Sequence, residues 1–420
     1  MMIKCLARFF SIFILFLWPT YAFGQEIRYM CYDTVECAAF TKLMPKFNEK
    51  HPDIKVKIDI VPFKAIRETL PVQLAAGEGP DMAALTDLSG LNEYYLDLRP
   101  YIDNQYWQKS FGRILDWYRD GEGDDRGIYG LHTQLTLTGA YINKTLFQQA
   151  NVPIPVLGSS WDEWARASKK VASLTDTYYP MALDRSGHRF MGPVIAYGAQ
   201  VFDGDKVILV DDAFAAYTDK FVSWFENGIM AREIWAVGGT TYKDARREFV
   251  NGEVVFYFSG SWQVKPFDAA IGGAFDWVVV GSPCGAGGCT GMPGGTGLVG
   301  FKQTKHPEAV AKFINFFAQE DIYQQLISIT QNIPAHKAVA EKGVDYGGMS
   351  DTASRALEAW TGEVLKISPI AFRLQGYKYS QALFDIVAKR ITQAVVGELS
   401  VEQAMMRCKS DLAKALANMN

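Results

Sequence analysis

The chain has 420 residues, 49% hydrophobic and 21% charged, with 42 Lys and Arg against 46 Asp and Glu for a net charge of −4. That length suggests about two or three domains with buried cores, and the hydrophobic share excludes a disordered or collagen-like chain. The acidic balance argues against a nucleic-acid partner, because neutralising phosphates takes a basic surface.

The first element reads as a leader. Lys4 and Arg8 precede an apolar run from Phe9 to Trp18, Pro19 breaks any helix, and Ala22-Phe23-Gly24 sets small residues two apart before Gln25-Glu26. This is the layout of a secretory signal peptide over residues 1–24, cut after Gly24. The run is too short to span roughly 30 Å of hydrocarbon as a helix. No Cys follows it at the cleavage site to carry a lipid, so the mature protein is expected free in the periplasm with a net charge of −6.

Cys5 leaves with the leader. The others fall as Cys31/Cys37, Cys284/Cys289 and a lone Cys408. In an oxidising compartment the two close pairs read as small disulfide loops. A four-thiolate zinc site is the rival, although neither spacing is Cys-x-x-Cys. Cys408 lies in a helical pattern and reads as a buried small hydrophobe.

From Gln25 onward strand and helix patterns alternate. Glu26–Tyr32 reads as a strand, and Ala38–Lys50 carries apolar residues at 40, 43, 44 and 47, one helical face. Ile54–Val61 alternates as a strand does, Phe63–Ala76 returns to helical spacing, and Gly77–Asp81 turns into the apolar stretch Met82–Leu85. Trp161–Leu174 is helical, with Ser160 as N-cap and Glu163 at the capping-box position. Phe214–Asn227 and Tyr242–Asn251 are helical, the latter leading into a strand Val254–Phe258. His306–Leu326 and Tyr379–Val396 are long amphipathic helices, and a last helix starts at Ser400. The β-α-β-α order implies an α/β protein with parallel-type sheets flanked by helices.

Particular stretches resemble a known family. FNEKHPDIKVKIDIVPF is similar to its first helix and second strand, and LAAGEGPDMAALTD to its Gly-x-Gly-Pro-Asp turn. YGLHTQLTLTGAYINKTLF is similar to the crossover where the chain changes lobe, and SSWDEWARASKKV to the helix after it. FVNGEVVFYFSGSWQV resembles the stretch ending in a ligand-facing Trp. GGTGLVGFKQTKHPEAVAKFINFFAQEDIYQQL resembles the return crossover and its helix, NIPAHKAV the segment after that helix, and VVGELSVEQAMMRCKSDL the C-terminal helix. The family is that of bacterial extracellular solute-binding proteins (family 1) of carbohydrate ABC importers, the group that includes maltose-binding protein.

The resemblance implies a two-lobe periplasmic-binding-protein fold (type II) with a hinge of crossover strands. The lobes would be 25–135 plus 298–331 and 136–297 plus 332–420. It also implies a monomer that is not an enzyme, needs no cofactor or metal, binds a carbohydrate in the cleft and docks on the permease subunits of an ABC importer. Position by position it points to Tyr32 and Asp33 after the first strand, Thr86 and Asp87 after the Gly-Pro-Asp turn, and Gln134 and Thr136 at the crossover. In the second lobe it points to Asp184, Arg185 and the stacking Trp262, with Gly295 and Thr296 in the return crossover. Arg373 and Tyr377 precede the penultimate helix, and Trp235 precedes a Gly-Gly turn beside a strand end.

A sugar site needs aromatic platforms with carboxylates, amides and Arg at their rims. Arg185 and Arg373, were both to face the cleft, would suit an anionic sugar. Leu85 stands where maltose-binding protein has an aromatic, and the Cys31/Cys37 loop is an addition; both argue against a maltodextrin. A secreted carbohydrate-active enzyme and a receptor feeding a sensor are the alternatives. Gly295–Gly300 fits G-x-G-x-x-G but leads into a strand, so a dinucleotide site fails on context. The five His are scattered, and no Gly-x-Ser-x-Gly elbow occurs.

Overall fold

The computed structural model describes residues 24–119, 126–239 and 241–419. The expected leader therefore lies, apart from Gly24, outside the described residues.

The described residues form ten strands: β1 (Gln25–Cys31), β2 (Ile54–Ile60), β3 (Met82–Leu85), β4 (Gly130–Asn143), β5 (Tyr179–Leu183), β6 (Phe202–Asp203), β7 (Lys206–Val207), β8 (Val254–Gly260), β9 (Trp277–Gly281) and β10 (Pro293–Gly300). The main sheet runs β2-β1-β3-β10-β4-β8-β5, with β9 paired to β4, and β6-β7 form a separate ribbon. β1 is parallel to β2 and β3, and β5 is parallel to β8. β10, β4 and β9 pair antiparallel with their neighbours, because they are the strands that carry the chain back and forth.

β4 is the structural axis. All fourteen of its residues are buried. Its first half, through Leu137, pairs with β10, and its second half, from Thr138, pairs with β8 and β9. One strand thus belongs to two lobes. Helices cover both halves of the main sheet, and each lobe has an aromatic core. In the first lobe Phe40, Phe47 and Phe317 pack around Phe313. In the second, Phe190, Tyr217 and Trp224 pack around Phe221.

Local signals account for several helix starts. Asp33 caps Thr34–Lys50, accepting from the amides of Val35 and Glu36 at 2.9 Å. Ser160 and Glu163 form the expected capping box on Trp161–Thr175. The pattern His306–Leu326 resolves instead into Pro307–Ala318 and Glu320–Thr330, broken where Gln319 adopts an extended conformation. Tyr242–Asn251 is helical only over Arg246–Val250, which leaves Tyr242 on a loop.

Both close cysteine pairs are disulfides, Cys31–Cys37 and Cys284–Cys289, and Cys408 is free and buried. The chain does not leave the first lobe at residue 331. Ile333 bridges Leu135 of β4, and Lys337–Lys342 then packs on Asn104–Phe111 and Glu320–Thr330, with His336 against Phe111 and Tyr323. The return comes after Lys342, and Asp351–Glu363 packs on β9 in the second lobe.

Candidate functional site

The carboxyl ends of parallel strands are where α/β proteins place ligands, because loops there converge on one crevice. Here β1 and β3 of one lobe and β5 and β8 of the other end on a shared cleft of about 410 Å³. It is lined by Tyr32 and Asp33 after β1, Thr86 and Asp87 after β3, Gln134 and Thr136 of β4, Trp262 after β8, and Gly295 and Thr296 of β10. Nine of the fourteen expected residues therefore meet in one place. Arg185 also reaches the wall, with its charge turned elsewhere.

Trp262 sits one turn beyond β8. A Cβ on Gly260 would lie 2.0 Å from the indole and 2.5 Å from the Leu137 carbonyl oxygen, so only glycine lets the ring fold back against β4. The indole stays partly exposed to the cleft. Gly295 is the second such position: its φ of +125° and the Gln134 carbonyl oxygen 1.7 Å from a built Cβ exclude any side chain. That close approach holds the two crossover strands together where they line the cleft.

Tyr32 packs on Phe63 with ring centroids 4.9 Å apart, and its hydroxyl bonds the Thr296 Oγ1 at 2.8 Å. Beneath it lies Glu36, fully buried, accepting from the Gln134 amide at 2.9 Å and from the Thr133 hydroxyl. Burial pushes its carboxyl up to about 8, against the lowering effect of the Thr133 bond. Asp87 accepts from the Gly90 amide at 3.0 Å and is pushed up by burial to about 6.

The second lobe contributes His188, Arg189, Tyr242 and Arg246, and Gln375 reaches in from the segment before the penultimate helix. His188 Nε2 faces the Pro293 carbonyl oxygen at 3.0 Å and the Gln375 Oε1 at 3.2 Å, both acceptors, so Nε2 carries the proton. Nδ1 is then free to accept from Arg189 Nη1. Burial, and then the Arg189 charge, hold this imidazole neutral down to about 3. The Arg189 guanidinium lies 4.2 Å over the Trp262 ring and 5.2 Å over that of Tyr242.

Five expected residues take other places. Asp184 is fully buried behind the wall, where it accepts from the hydroxyls of Tyr257, Ser259 and Tyr242 at 2.6, 2.6 and 2.9 Å. It holds Tyr242 in position without facing the cleft. Arg185 is also fully buried; it donates to Thr392 Oγ1 at 2.8 Å, to the Gly239 carbonyl at 2.7 Å and to the Thr241 carbonyl. Trp235 is core, packed on Phe190 and Phe221 with its indole N–H donating to the Leu183 carbonyl at 2.8 Å. Arg373 is bonded to the Gly204 carbonyl and Asp205 over the Phe202 ring, and Tyr377 packs on Phe202 and Tyr379. Gln375 faces in because residues two apart on a helix point in opposed directions.

Among the described residues no group of three or more His, Cys, Asp and Glu is placed to hold a metal ion, and no helix is long and apolar enough to cross a membrane. What remains is a polar crevice with aromatic faces and many fixed donors and acceptors, between two lobes that share their crossing strands. That is the architecture of a hinged solute receptor.

The chain belongs to the family of bacterial extracellular solute-binding proteins, whose profile matches residues 33–324. This is a family of binding proteins, not enzymes. The arabinooligosaccharide-binding protein of Bacillus subtilis is 24% identical over 306 residues, 69% of this chain and 68% of that one. The maltodextrin-binding protein of the same organism is 25% identical over 320 residues, 70% of each. Among solved structures, an ABC substrate-binding protein of Listeria monocytogenes in complex with cycloalternan superposes with a TM-score of 0.78 at 17% identity, over 94% of this chain and 99% of that one. These structural likenesses carry the two-lobe fold.

Proposed function

We propose that this protein is the exported receptor of an ABC importer, that it takes a sugar or small oligosaccharide into the interlobe cleft, and that it delivers the sugar unchanged to the membrane permease. The observation that carries the reading is Trp262. A partly exposed indole in the cleft of a solute-binding protein, a cleft that Tyr32, Asp33, Gln134 and Tyr242 also line, matches what a sugar offers: C–H faces for the ring and hydroxyls for the rim. The named relatives bind oligosaccharides, which supports the same class. Tyr32, Asp33, Thr86, Asp87, Gln134, Thr136, Trp262, Gly295 and Thr296 are proposed as contacts. The charged leader and apolar run at residues 1–24 support export to the periplasm.

The test is a thermal-shift and calorimetric screen of mono- and oligosaccharides on the mature protein. Saturable binding, with a stabilisation that grows as RT ln(1+[L]/Kd) and no product formed, is expected. Turnover of the bound sugar, or no binding by any member, would overturn the reading.

A further inference from the structure

The chain as a whole is acidic, at −4, yet its cleft is not. Five basic side chains line the cleft (Arg67, Arg185, Arg189, Arg246 and Lys265) against three acidic ones, Asp33, Asp87 and Asp385. The acids are already engaged: Asp33 caps a helix, Asp87 accepts from Gly90, and Asp385 is ion-paired to Arg67 at 2.9 Å. Of the bases, Arg67 and Arg185 are engaged too.

Three cations are left on the second-lobe wall. Among the described residues none of Arg189, Arg246 and Lys265 forms an ion pair. Arg246 donates from Nε to Gln263 at 2.6 Å and Lys265 to the Ile329 carbonyl at 2.8 Å, so each donates only to neutral oxygen, with Asp33 the carboxylate whose charge reaches Lys265. Arg189 has still less. Its Nε is buried with no hydrogen-bond partner, and its Nη1 makes one long bond of 3.4 Å to His188. The nearby carboxylate of Asp184 is already taken by three hydroxyls and the Ala245 amide.

A buried guanidinium N–H without an acceptor is unfavourable, and Arg189 keeps one at Nε. Trp262 and Tyr242 lie over its flat faces and Nε is shut in, which leaves the terminal Nη edge as the side that a ligand in the cleft can meet. That edge matches a planar carboxylate through two parallel hydrogen bonds, a fit that lysine or a neutral amide cannot reproduce.

We propose that the solute is an acidic sugar whose carboxylate docks on the edge of Arg189, beside the ring that Trp262 supports, with Arg246 and Lys265 adding positive field. This rests on the sugar-receptor reading above and adds the charge of the ligand. It moves the anion site from Arg185 and Arg373, where the sequence suggested it, to a residue four positions beyond Arg185.

The experiment offers the mature protein two enzymatic digests, of glucuronoxylan and of pectin, each containing neutral oligosaccharides together with their uronic-acid-bearing counterparts. Retained sugars are identified by mass spectrometry, and matched acid and neutral pairs are then titrated by calorimetry. Enrichment of the acidic members, with a preference of about tenfold or more over the matched neutral sugar, is expected. Arg189→Met, which keeps the packing on Trp262, should bring that ratio close to one, while Arg189→Lys should keep part of it. Preferential retention of the neutral members would leave the sugar receptor standing and overturn the acidic ligand. Retention of nothing from either digest would overturn both, and an acid preference that survives in Arg189→Met would remove Arg189 as its source.

Discussion

Trp262 stands at the cleft because Gly260 precedes it: a Cβ there would collide with the indole and with the Leu137 carbonyl oxygen. Replacing Trp262 by Ala should cost about 2 kcal/mol, roughly thirtyfold in Kd by calorimetry, with little change in melting temperature. Arg189 was not legible. The sequence draws attention to the strand end at Arg185, but that guanidinium is claimed by Gly239, Thr241 and Thr392, partners more than fifty residues downstream. Glu36 was hidden in a helix pattern, since nothing in the chain order announces that Thr133 and Gln134 come to rest on it. Its carboxyl is raised from 4.5 to about 8, so between those values the folded chain holds a proton that the unfolded chain has lost. Stability from this group is full below about pH 4.5 and drains away as pH climbs toward 8. Melting curves should therefore show the wild type losing ground to Glu36→Gln across about pH 5 to 8; parallel curves would mean that Glu36 is not protonated in the fold.

Among the elements, Ser160 marks the start of Trp161–Thr175 in the sequence because its cap is local, whereas the first helix begins at Thr34 on the Asp33 cap, four residues before the apolar pattern from Ala38 announces it. Pairing between distant strands is not local, and β10 shows the difference. Its text could be taken for a nucleotide loop, whereas Gly295 serves the close approach of β10 to β4 and Gly297 makes room for the Tyr118 ring. Gly295→Ala would drive a methyl group into the Gln134 carbonyl at a φ that L-residues avoid. The expected loss is at least about 2 kcal/mol, seen as a fall of several degrees in melting temperature. An unchanged melting point would mean that the β4–β10 contact is looser than described. The break at Gln319 was likewise out of reach, because both halves of the 307–330 stretch carry good helical periodicity and an apolar face.

At the scale of the whole molecule, the lobes touch through more than their shared strands. Arg67 pairs with Asp385 across the cleft, Lys265 reaches the Ile329 carbonyl, and Trp117 donates to the Phe372 carbonyl at 3.0 Å. The Arg67–Asp385 pair is about a quarter to a third exposed, so it biases closure modestly, by up to about 1 kcal/mol. Asp385→Asn should enlarge the radius of gyration of the sugar-free protein in small-angle scattering and weaken binding roughly two- to fivefold. Identical scattering would show that the pair does not hold the lobes together. The two-lobe plan was readable only through the order of many weak motifs, and its last crossing was misplaced because Lys337–Lys342 has no pattern that says which lobe it serves. That interleaving bears on how the molecule is made. The sheet of β1, β2 and β3 is complete only when β10 arrives, some 208 residues after β3 has left the ribosome. At about 5–20 residues per second that is a wait of roughly 10–40 s in which the nascent amino-terminal half has no central neighbour to close on. A polypeptide slow to tie itself shut stays threadable, which is the condition a narrow translocation pore imposes on its cargo.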